Sequence, residues 1–166
     1  MPDEPEKPFM SLVALLSEHE PLSGPTLLAA LDRAFDGRYS REEPGHFFNA
    51  VIEGHQYFVW CGGVAFIIHT RPEQYFDGPA VAEHINDSKL APLVAGHQAW
   101  LSVDWLSGDA PEAEQWDHLG RLLAELSSDR CVALCVPARE TVIAFHPGTV
   151  ESLRGPDTFQ KLGFSV

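Results

Sequence analysis

Cations, cysteines and long apolar runs are what this chain has least of. Eleven Lys and Arg stand against 24 Asp and Glu, for a formal net charge of −13. Nucleic-acid binding draws much of its affinity from cations laid along the phosphate backbone, and adsorption to an anionic membrane surface needs them as well. Neither partner class fits this balance. The acids are scattered rather than gathered into a long run, which suits a solvated surface or a basic partner. No apolar run approaches the ~20 residues that span a bilayer. The start, MPDEPEKPF, is acidic and proline-rich where a secretory leader is basic and then apolar. The cysteines are Cys61, Cys131 and Cys135, an odd count of three that argues against a disulfide framework and for a reducing compartment. The expected location is the cytoplasm.

What is present suffices for one domain with an ordinary core: 166 residues, 45% hydrophobic. Residues 1–8 read as a disordered tail. Residues 9–16, FMSLVALL, have the length of a strand. Ser23 and Pro25 open a helix that carries Leu28, Leu31 and Phe35 at helical spacing and ends at Gly37. Residues 38–46 read as polar loop, and residues 47–52 as a short extra strand. YFVWC and VAFIIHT, separated by Gly62-Gly63, form a hairpin signal, because tight hairpin turns need positive φ. A phosphate-cradling loop would feed a helix, and here a strand follows. Asp77-Gly78-Pro79 opens a helix through Val81 and Ile85 that stops near Pro92 or Gly96. Gln98 to Leu106 is a strand. Asp109 then caps a long helix whose apolar face is Trp116, Leu119, Leu123 and Leu126. Each of those four contributes ~1.5–3 kcal/mol on burial, before entropy. CVALCV and TVIAF flank a four-residue loop, Pro137 to Glu140, and a short helix follows near residues 150–154.

The order strand–helix–hairpin–helix occurs twice, and each hairpin is followed by a histidine, a proline and a Gly-Pro (HTRPEQYFDGP and FHPGTVESLRGP). The expectation is an α+β fold: an antiparallel sheet with helices on one face, built of duplicated strand–helix–strand–strand units with pseudo-twofold symmetry. The domain runs over residues 9–156, in halves 9–97 and 98–156, with 157–166 as a C-terminal tail.

Chemistry-bearing residues are sparse. Cys131 and Cys135, read on one strand face, lie ~13 Å apart, beyond the ~7 Å Cα separation of a disulfide and beyond ligation of one zinc. No metal-ligand spacing such as H-E-x-x-H occurs among the eight histidines. His69 and His146 end the two hairpins at equivalent places and are candidates for a shared cleft. In AWLSVDWL, Trp100 and Asp104 alternate with Leu101, Val103 and Trp105, so they face away from the helices. An acid in so apolar a strand is solvated, paired or turned to a ligand. Tyr57 or Trp60 on a neighbouring strand extends that surface. No catalytic residue, cofactor or metal is assigned.

HQAWLSVDWL, with GRLLAELSSDRCVALCVP after it, resembles a bacterial domain family of unknown function over about residues 9–156, most specifically at Trp100–Asp104 and Gly120–Pro137. The chain departs from that pattern at the end of the first hairpin, where Ile68-His69-Thr70 replaces an asparagine-rich segment. The resemblance implies a bacterial origin and no activity. The duplicated layout is also similar to GyrI-like small-molecule-binding proteins, which implies a ligand cleft between two units. The preferred expectation is a non-enzymatic protein that binds a protein partner through an exposed sheet face. The alternatives are a small-molecule binder with a cleft between the halves near Trp100, Asp104, Tyr57 and Trp60, and, behind it, a hydrolase using Asp104, His69 or His146.

Overall fold

A computed structural model of the chain describes residues 10–35, 47–51, 55–61 and 64–164. The expected N-terminal tail, the Gly37 helix stop, the polar loop and the Gly62-Gly63 turn lie outside those residues. One seven-stranded antiparallel sheet organises them, and with its helices the fold is α+β.

β1 (Ser11–Leu16) is buried along its whole length. Its alternate residues serve two cores: Leu12, Ala14 and Leu16 pack on one face of the sheet, Val13 and Leu15 on the other. That double burial explains why the strand reads as a continuous apolar run instead of an alternating one. α1 (Gly24–Ala34) starts where Ser23 Oγ accepts from the Thr26 amide at 3.2 Å. β2 (Phe47–Val51), β3 (Gln56–Cys61) and β4 (Val64–Arg71) form an antiparallel meander, so the short extra strand and the first hairpin are both present. β5 (Ala99–Ser107) pairs with both β4 and β1.

The segment from Gly78 to Gly96 is two helices, not the expected one: α2 (Gly78–Ala82) and α3 (Leu90–Gly96). Asp77 Oδ1 accepts from the Ala80 amide and starts the first. Asp87 Oδ1 takes the Lys89 and Leu90 amides at 2.8 and 3.2 Å and starts the second. An Asp that bonds forward to the backbone competes with helix continuation. Pro92 falls in the first turn of α3, where its missing N–H costs nothing, so it does not stop the helix. α4 (Glu112–Leu126) begins after Pro111, with no side-chain cap; Asp109 does not fill that role. Its buried face holds Trp116, Leu119 and Leu123 as expected, and also Leu122, while Leu126 is partly exposed.

β6 (Cys131–Val136) and β7 (Thr141–Ala144) form the second hairpin, turned by a 3-10 segment at Pro137–Arg139 with Glu140 at φ 47°. α5 (Pro147–Leu153) follows. The expected C-terminal tail contains α6 (Thr158–Lys161), whose Phe159 stacks on Trp116 at 4.3 Å and is buried. An aromatic with a buried partner docks its segment.

The strand order is β2-β3-β4-β5-β1-β6-β7. α1, α4, α5 and α6 share one face, as expected of the helices, but α2 and α3 lie on the other, where Leu90 and Val94 pack on Val13, Leu15, Ala133 and Cys135. The repeated element order does not become a twofold among the described residues. The first hairpin borders β5 with its second strand, β4, whereas the second hairpin borders β1 with its first strand, β6. Each half's hairpin is thus paired to the other half's first strand.

Candidate functional site

The second face of the sheet carries the polar cluster. Ser11 and Asp104 are direct cross-strand partners on β1 and β5. Ser11 Oγ donates to Asp104 Oδ1 at 2.5 Å, and His69 Nε2, from β4, lies 3.3 Å from Asp104 Oδ2. Asp104 is not on an open surface, as its alternation suggested: it is 5% exposed, and both carboxylate oxygens have partners. A buried carboxylate persists only when hydrogen-bonded or paired in this way. His69 is at the boundary, its side chain 24% exposed.

Trp100 stands beside this group. Its ring centroid is 6.2 Å from His69 and 5.2 Å, edge-on, from Tyr75. Tyr75 belongs to the segment before α2 and is part of the cover over this face. Burial, and then the nearby Cys135 and Asp104, push its phenol above the ordinary 10.0. The segment is fixed by His97, which is almost wholly buried. His97 Nε2 accepts from the Tyr75 amide at 3.0 Å, so Nδ1 carries the proton and donates to the Val94 carbonyl at 2.6 Å. Gln74 completes the tie, with Nε2 donating to the carbonyls of Ala95 and His97 and Oε1 accepting from the Gly78 amide. Sequence reading missed His97, Gln74 and Ser11. Ser11, directly across from Asp104, is legible only once the register is known.

Of the six expected site residues, the structure brings together three: Trp100, Asp104 and His69. Trp60 lies on the same face by alternation and is 39% exposed. Tyr57 does not join them. It points to the first face, 4% exposed, and its hydroxyl donates to the Leu22 carbonyl. His146 is elsewhere altogether. It caps α5, its Nδ1 accepting from the Gly148 amide at 3.1 Å. Four strand spacings separate β4 from β7, or ~19 Å, so His69 and His146 share no cleft.

The cysteines also differ from expectation. Cys131 belongs to the first-face core and Cys135 to the second. The register between β1 and β6 shifts at Leu15/Leu16, so Val132 and Ala133 both turn to the second face. A bulge of this kind inverts the alternation beyond it. Burial pushes both thiols up to about 11, which makes them poor nucleophiles. The side chain of Cys61 lies outside the described residues.

No serine–histidine–aspartate relay is assembled among the described residues, because the Ser11 hydroxyl meets the carboxylate and not the imidazole. Nor is there a group of three or more His, Cys, Asp or Glu able to hold a metal ion among them. No helix among them is long and apolar enough to cross a membrane. A cleft of about 650 Å³ lies away from this cluster, at the far end of β5, between Met10, Trp105, Leu106, Glu112, Trp116 and Arg139. The cluster has the paired titratable groups and the cleft has the volume. The chain matches no protein-family model, no curated protein and no solved structure.

Proposed function

We propose that the chain is a non-enzymatic binding protein that receives its ligand or partner on the partly open end of the sheet's second face. The supporting observation is the uneven cover of that face. Residues of α2, α3 and the segment before them pack on β1, β6 and β7. At the β3–β4 end, Phe58, Ile67, His69 and Arg71 are only partly buried and Trp60 is exposed. Accessible aromatics beside an arginine are the residue types that interfaces favour. The contact order Ser11–Asp104–His69 supports binding over hydrolysis, since the hydroxyl is buried and meets no imidazole among the described residues. A cytoplasmic setting and membership of the bacterial family that Trp100–Asp104 resembles belong to the same proposal.

A second reading rests on the cleft at the end of β5. Its volume of about 650 Å³ falls within the ~300–1,000 Å³ usual for small-molecule sites. Its walls combine two tryptophans with one acid and one arginine.

Native mass spectrometry of the protein purified gently from its own host separates the two. An adduct or co-purifying partner that is lost in Trp60→Asp and kept in Leu106→Asp supports the sheet face. The reverse pattern moves the site to the β5 cleft, and an unadorned monomer in every case overturns both.

A further inference from the structure

His69 and Arg71 stand two positions apart on the same face of β4, ~7 Å apart along the strand. The carboxylate of Asp104 occupies His69 Nε2, while Nδ1 makes no hydrogen bond among the described residues and is not closed off from solvent. Arg71, partly buried, makes no hydrogen bond or ion pair among the described residues. A guanidinium without an acid partner among the described residues is open to an external anion. Arg33, Arg130 and Arg154 each hold an acid. Trp100 is the direct cross-strand partner of Arg71 and stands 6.2 Å from the His69 ring. Ile67, next along this face of β4, is partly buried.

From this juxtaposition we propose that the face binds a small aromatic carboxylate. The inference rests on the binding reading above and names its ligand class. Arg71 takes the carboxylate in the forked geometry that guanidinium offers. His69 presents its solvent-facing Nδ1 beside the same group. The ligand's ring lies against Trp100, the cross-strand partner of Arg71. Asp104 does not repel such a ligand: it is buried behind the His69 ring, both its oxygens are partnered by that ring and by the Ser11 hydroxyl, and Arg71 supplies the positive charge on the ligand's side.

The test is a titration of the full chain with benzoate, followed by NMR of the histidine ring nitrogens and tryptophan indoles. Benzamide serves as the neutral probe of the same shape, and acetate as the anion without a ring. Benzoate is expected to shift the His69 and Trp100 signals saturably. Benzamide and acetate bind at least about tenfold more weakly, and Arg71→Gln weakens benzoate by about tenfold or more, as the loss of a charged hydrogen bond implies. Among the described residues Arg71 has no hydrogen-bonded or ion-paired partner to lose, so this substitution is expected to leave the fold intact. Equal binding of benzamide overturns the role of the charge, and equal binding of acetate overturns the role of the ring. Unchanged affinity in Arg71→Gln, or no saturable shift, overturns the site. A failure here beside an adduct or partner still lost in Trp60→Asp discards the carboxylate and keeps the binding face.

Discussion

At the scale of single residues, the buried polar side chains decide how well the site is held. His97 supports the Tyr75 segment through two hydrogen bonds to backbone groups. His97→Phe keeps a ring against Phe76, whose centroid is 5.4 Å away, and removes both bonds. Each orphaned buried backbone group costs ~1–3 kcal/mol, so urea unfolding is expected to show a loss of about 2–4 kcal/mol. Loosening the segment also exposes Trp100, visible as a red shift of its fluorescence. Cys131 and Cys135 give a prediction in pH. A thiol is neutral when protonated, and burial raises both from the ordinary 9.0 to about 11. The folded state therefore holds these protons more tightly than the unfolded chain. Stability from this source is complete below pH 9.0 and is lost as pH rises through about 11. Urea midpoints between pH 8 and 10.5 should fall more steeply in the wild type than in a Cys131→Ala/Cys135→Ala variant. A decline of equal steepness in the two would contradict this assignment.

At the scale of elements, close approach outweighs propensity at Gly120, in the middle of α4. A Cβ there would lie 2.5 Å from the Leu153 carbonyl oxygen and 2.7 Å from Thr158 Cγ2. In an exposed helix Gly→Ala gains up to ~1 kcal/mol, whereas overpacking costs ~1–3 kcal/mol. One of the atoms in the way is backbone, which cannot rotate aside, so Gly120→Ala is expected to lower thermal stability despite its helix preference. A raised melting temperature would mean that α5 and α6 move away freely. Elements of this kind were largely legible in the sequence. Ser23 and Pro25 announced α1, and the apolar spacing announced α4, because both signals are local. The break between α2 and α3 was missed because Val81 and Ile85 kept helical spacing up to Asp87, whose side chain starts a new helix at Leu90. Asp104 does lie on the opposite face from Leu101 and Val103, but α2 and α3 lie on that face too. Its burial was not legible, because the cover comes from a segment 27–30 residues earlier in the chain, Asp77 back to Gln74, tied down by His97.

At the scale of the whole molecule, the sheet order makes the two halves interdependent, and this was the least legible property of all. Strand pairing across the halves is set by long-range packing that no local pattern encodes. It predicts how the chain behaves when divided. In a fragment covering residues 1–97, β1 has neither of its sheet neighbours, β5 and β6, and only the meander β2–β3–β4 retains its pairing. In residues 98–166, β5 and β6 are left without the strand that lies between them, and α4 loses Leu12, Ala14 and Leu16 from its core. A lone hairpin is at best marginally stable in water, and neither fragment keeps a sheet centre to build on. Each is therefore expected to lack near-UV circular dichroism and a cooperative urea transition. The intact chain should lose its tryptophan fluorescence and far-UV signals in one coincident transition, since Trp60, Trp100, Trp105 and Trp116 sit on β3, β5 and α4, elements drawn from both halves. A fragment 98–166 that unfolds cooperatively alone would mean that β5 and β6 can close on each other, and that the second half is a folding unit in its own right.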